Sequence, residues 1–159
     1  MDAADLIDDQ SLRAGLLGAL LASAVLIAIW VYGVMLFDRF FPWFSVVQGF
    51  FIGRAVQHFG RGIDWRFPVI AAGCAAAAAF LGSFLSALFL TGREFDTGAF
   101  PLVAEISRHT VSTFATREFG VVGTIYAGMA VALAAFFAKR RLNRNEAIAL
   151  RKHMDGESG

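Results

Sequence analysis

Residues 14–37 run for 24 positions without a charged side chain, residues 67–92 for 26, and residues 119–138 for 20. Each run matches or exceeds the about 20 residues a helix needs to cross a hydrocarbon layer about 30 Å thick. A water-soluble fold of 159 residues has no interior large enough to hide all three. The composition agrees: 57% of the chain is apolar and 17% charged, against about 25% charged in soluble domains. In lipid the backbone must satisfy its own hydrogen bonds, and a helix does so within one segment. The first run does not read as a secretory leader, because MDAADLIDDQSLR carries four acids and one arginine where a leader has a basic start and a shorter apolar core. It is expected to stay as a membrane helix.

A fourth segment is harder to place. Residues 40–53 are uncharged, but at about 1.5 Å per residue they reach only about 21 Å. Extending to residue 60 gives enough length and brings Arg54 and His58 into the helix near one end. An arginine there lays its stem along the apolar zone and keeps its head among lipid headgroups. Ser45, Gly49 and Gly53 recur every fourth residue, a seam of small side chains that lets helix backbones approach closely in lipid. Pro42 suits a first helical turn, where no donor is needed. A full crossing is the expectation, and a re-entrant dip is the alternative. Counting cations does not separate them. Four crossings put Arg13, Arg54, Arg61, Arg66 and six tail cations on one side, and Arg39, Arg93, Arg108 and Arg117 on the other. Three crossings give the same division by number. Both place the carboxyl tail in the cytoplasm by the excess of Lys and Arg there; four crossings also place the amino terminus there.

The expected fold class is therefore all-α: an integral membrane four-helix bundle over residues 1–154, with helices at about 13–37, 40–60, 67–92 and 119–142. Small residues form further stripes: Gly15, Ala19 and Ser23 in the first helix, Ala71, Ala75, Ala79, Ser83 and Ala87 in the third, and Gly120, Thr124, Gly128 and Ala132 in the fourth. Between the last two helices, Leu102, Val103, Ile106, Thr110, Val111 and Phe114 recur at helical spacing. This predicts an amphipathic interfacial helix over about 101–117. Trp30, Tyr32 and Trp43 crowd the first hairpin tip with the aromatic character of a membrane interface. The tail holds Lys139, Arg140, Arg141, Arg144, Arg151 and Lys152, continues the last helix by a few turns in this reading, and attracts anionic lipid. Residues 155–159 are expected to be disordered.

Chemistry-bearing patterns are scarce. Cys74 is the sole cysteine, so no intramolecular disulfide or cysteine-based zinc site forms. Glu105 and His109 are four apart, but two ligands do not make a metal site. Gly60, Arg61 and Gly62 lack the strand and the lysine-hydroxyl pair of a phosphate loop. No nucleophile elbow or catalytic carboxylate pair occurs, no cofactor is implied, and a basic patch without aromatic platforms does not point to nucleic acid. Small multidrug exporters are also short four-helix chains, but they use a glutamate in the first helix, and residues 14–37 hold no acid. The polar candidates at membrane depth are Gln48 and Arg54.

Gly53, Arg54, Ala55, Val56, Gly60, Arg61 and Gly62, in GFFIGRAVQHFGRG, resemble the end of the second helix in small four-helix bacterial inner-membrane proteins without assigned activity. That resemblance covers residues 40–80 best. It implies a bacterial cytoplasmic membrane and four crossings, and lends no catalytic residue. The function expected is non-enzymatic: a multi-pass protein acting by helix packing, as a self-associating bundle or an accessory subunit of a membrane assembly, with Ser45, Gly49, Gly53, Gly120, Thr124 and Gly128 as packing positions. The alternative is a small-solute channel or carrier between protomers, with Gln48 and Arg54 on the path.

Overall fold

A computed structural model describes residues 10–94, 111–112, 114, 119–139 and 148. Among these are four helices: α1 (Leu12–Phe37), α2 (Phe44–Gly60), α3 (Arg66–Glu94) and α4 (Gly120–Ala138). The interfacial helix anticipated at 101–117 and the tail beyond Lys139 lie almost wholly outside the described residues. Three helices, α1, α3 and α4, are long and apolar enough to cross a membrane. The fourth, α2, has 17 residues, about 25 Å of rise, and carries Gln48, Arg54, Gln57 and His58.

Local chemistry sets the helix ends. Ser11 caps α1 by accepting a hydrogen bond from the Ala14 amide at 3.2 Å, which satisfies one of the amides a helix start leaves open. Asp38 ends α1 with φ 51°, a left-handed conformation that short polar side chains tolerate better than most. The start of α2 falls at Phe44 rather than at residue 40, because residues 41–43 form a tight turn. Phe44, Ser45 and Val46 amides bond back three residues to Phe41, Pro42 and Trp43 carbonyls. Pro42 thus precedes the α-helix instead of sitting within its first turn. α4 stops at Ala138, with Lys139 extended, so the helix does not run unbroken into the basic tail as expected. The physical reason is a cap from a neighbour: Gln57 Nε2 donates to the Lys139 carbonyl at 2.7 Å. At the opposite end Arg93 Nη1 donates to the Met35 carbonyl at 2.8 Å. In both cases a side chain of an adjacent helix satisfies a carbonyl that helix termination leaves open.

The bundle is antiparallel, with α2 and α3 central. Both touch all other helices, while α1 and α4 flank them and scarcely meet. The direction of α2 follows from its neighbours. Gly60 lies against Gly15 at the start of α1, and the Phe44 ring lies 5.6 Å from Trp30 near its end. Gly15 and Trp30 are fifteen residues apart, about 22 Å of helix. α2 therefore runs along the bundle from one end to the other and does not turn back on itself.

One core cluster joins Ala19, Ile52, Val56, Phe67, Ala71, Ala75, Ala78, Ala134 and Ala138. Most of these are alanines, so the helices approach closely and the attraction comes from backbone-near van der Waals contact, as membrane bundles require. Phe67 plugs one end, its ring over Gly15, Gly60 and Gly62. Towards the other end Trp30 fills the space beside Gly82.

Candidate functional site

The seam along α2 is closely packed. Ser45, Gln48, Gly49, Ile52, Gly53, Val56 and Gly60 are all buried, with Gly49 and Gly53 against α4 and Gly60 against Gly15 and Phe67. A Cβ on Gly49 would collide with the Ala130 carbonyl, and one on Gly53 would lie 2.6 Å from the Ala134 carbonyl oxygen. Both obstacles are backbone, which cannot rotate away. The glycines are therefore engaged inside a single bundle, against the Ala130, Ala134 and Ala138 face of α4, and Ser45 turns its hydroxyl to the Pro42 carbonyl at 2.9 Å.

The other small stripe faces outward. Thr124 and Gly128 are exposed, Gly120 is half-buried, and a Cβ on Gly128 would meet nothing within 4 Å among the described residues. Thr124 spends its hydroxyl on the Gly120 carbonyl at 2.7 Å, so it presents only its methyl group. Beside the stripe stand Val121, Ile125 and Met129, all exposed. The buried face of α4 is instead the alanine face, Ala130, Ala134 and Ala138, which carries the same four-residue spacing as the glycine-bearing stripe. Gly128 and Ala130 are about 200° apart around a helix, so the two faces cannot pack on the same neighbour.

Gln48 and Arg54 do not meet. Gln48 is 0% exposed, and neither its Nε2 nor its Oε1 has a hydrogen-bond partner among the described residues. Arg54 is exposed and donates from Nη1 to Gln57 Oε1 at 2.9 Å, completing the relay that caps α4. Trp30 Nε1 and Ser86 Oγ are likewise buried without a partner. Other hydroxyls in the bundle behave differently: Ser23 donates to the Ala19 carbonyl at 2.7 Å, the usual way a serine in an apolar helix satisfies itself. Glu105 and His109 lie outside the described residues. Among the described residues no group of three or more His, Cys, Asp and Glu is placed to hold a metal ion.

A concave site occurs where α1 hands over to α2. An open, predominantly apolar groove of about 560 Å3 is lined by Ile29, Trp30, Gly33 and Phe37 of α1, by Arg39, Phe41 and Trp43 of the connecting turn, and by Phe44 of α2. The size falls among ligand-binding clefts, about 300–1,000 Å3. Its rings brace one another: Trp30 and Phe44 centroids are 5.6 Å apart, and Phe37 and Phe41 meet edge to face at 6.0 Å. The sequence showed the aromatic crowding but not the cleft, which depends on the tight turn at 41–43.

Compared with known protein families, curated proteins and solved structures, the chain matches none.

Proposed function

We propose that this chain is a non-enzymatic multi-pass protein of a bacterial cytoplasmic membrane that works through helix packing, associating side by side with a second copy of itself through the outer face of α4. The observation that carries this reading is the Gly120–Thr124–Gly128 stripe, with Ala132 continuing it. Elsewhere in the bundle each small-residue seam is matched by a close neighbour: Gly49 and Gly53 by α4, and Gly15 by Gly60. The α4 stripe has a similar composition and no neighbour among the described residues. Only 17% of the apolar window of α4 is buried, the least among the three long helices. A glycine groove flanked by Val121, Ile125 and Met129 suits a helix approaching at close range in lipid.

The test uses Gly128→Leu, which fills the groove without touching the chain's own interior. Purified in mild detergent, the natural protein is expected to sediment as a dimer and the variant as a monomer with unchanged helix content. Equal sedimentation of the two would overturn self-association. Loss of one co-purifying membrane protein in the variant, with both chains monomeric, would assign the same face to an accessory-subunit role. The channel reading places Gln48 and Arg54 on a shared path; the burial of Gln48 within one bundle and the engagement of Arg54 with Gln57 favour it less.

A further inference from the structure

The groove at the α1–α2 hairpin has a chemical character that narrows its occupant. Its walls are mostly hydrocarbon and aromatic, and the polar side chains among its lining are Trp30, Arg39 and Trp43. All three are donors without acceptor capacity. The neighbouring carboxylate, Asp38, is drawn away to Arg93 at 3.5 Å, and Arg39 has no hydrogen-bond or ion-pair partner among the described residues. An occupant must then combine a flexible apolar body with an acceptor-rich, negatively charged head. We propose that the groove binds an anionic phospholipid, with one acyl chain against Trp30, Phe37 and Phe44 and the phosphate paired with the Arg39 guanidinium. The position fits: tryptophans gather at the headgroup level of a bilayer, and guanidinium groups pair with phosphate oxygens through two parallel hydrogen bonds.

This site is independent of the α4 face and stands or falls separately from self-association. The chain carries its own reporters. Of three tryptophans, Trp30 and Trp43 line the groove, and Trp65 sits at the other end of the bundle before α3. The Trp65→Phe protein, reconstituted into phosphatidylcholine vesicles containing a minor fraction of phosphatidylglycerol with brominated chains, is expected to show tryptophan quenching well above that from brominated phosphatidylcholine at the same fraction. A local enrichment of roughly fivefold corresponds to the about 1 kcal/mol contributed by one arginine near an anionic headgroup. Arg39→Gln should reduce quenching to the level set by mole fraction. Gly33→Leu should do the same by filling the groove, and it is compatible with the fold because a Cβ at Gly33 meets nothing within 4 Å; circular dichroism checks that helix content is retained. Equal quenching by the two brominated lipids overturns the proposal. So does an excess that survives Gly33→Leu, since the lipid would then be gathered by surface charge alone.

Discussion

Gln48 poses the sharpest energetic question at the level of single residues. An amide side chain fully removed from solvent, with neither end bonded among the described residues, forfeits about 1–3 kcal/mol of hydrogen bonding. Leucine has a similar volume and no polar atoms, and replacing a buried polar group with an apolar one of the same shape removes that cost. Gln48→Leu is therefore expected to raise the stability of the bundle by about 1–3 kcal/mol, read as a shift to higher denaturant in an equilibrium unfolding titration in mixed micelles. A loss of stability would mean that the amide finds a partner from outside the chain, in a second protomer or a bound polar molecule. Ser23 and Thr124 avoid this problem, each bonding to the carbonyl four residues earlier; the side chain of Gln48 makes no such bond.

Between helices, the same residue type has opposite consequences on different faces. Alanine at Gly49 drives a methyl group into the Ala130 backbone, and overpacking of this kind costs about 1–3 kcal/mol. Alanine at Gly128 meets no described atom within 4 Å and is expected to leave the protomer as stable or to stabilise it by up to about 1 kcal/mol through helix propensity. Unfolding titrations of the two variants in dilute detergent check the contrast, and equal shifts would contradict the assignment of faces. This contrast also marks what the sequence could reveal. Length and hydropathy sufficed for α1, α3 and α4, because spanning a hydrocarbon layer is a property of a single helix. The stripes Gly15–Ala19–Ser23 and Ala71–Ala75–Ala79 lie buried, and their spacing alone pointed to packing. Which stripe of α4 turns inward depends on α2 and α3, and no spacing within α4 encodes that. That α2 starts at Phe44 rather than at residue 40 has a related reason: Pro42 fits a first helical turn as well as a turn before one, and the backbone bonds to the Phe41, Pro42 and Trp43 carbonyls decide between them. The groove at the hairpin was illegible because it arises from two helices and a turn meeting.

Across the whole molecule, the weakly apolar α2 is sheltered by being central. Its polar positions lie against protein or at one end of the bundle, so its low hydropathy is compatible with a full-length path. The start of α1 is tied to the end of α2 by the Ser11 amide, which donates to the Gly60 carbonyl at 3.1 Å, and the end of α4 is tied to α2 through Gln57. Both outer helices thus emerge at the same end of the bundle. That end carries Arg13, Arg54, Arg61, Arg66 and Lys139, while the other carries Arg39 and Arg93. Lys and Arg are retained on the cytoplasmic side of membrane proteins, so the richer end is predicted to face the cytoplasm. A reporter active only in the cytoplasm, fused before Asp2 or after Gly159, is expected to be active in both places, and one inserted between Asp38 and Arg39 to be inactive. If α2 instead dipped and returned, the amino-terminal fusion would lose activity while the carboxyl-terminal one kept it. That outcome would require Phe44 and Gly60 to lie at one membrane surface, although α1 holds their neighbours, Trp30 and Gly15, about 22 Å apart.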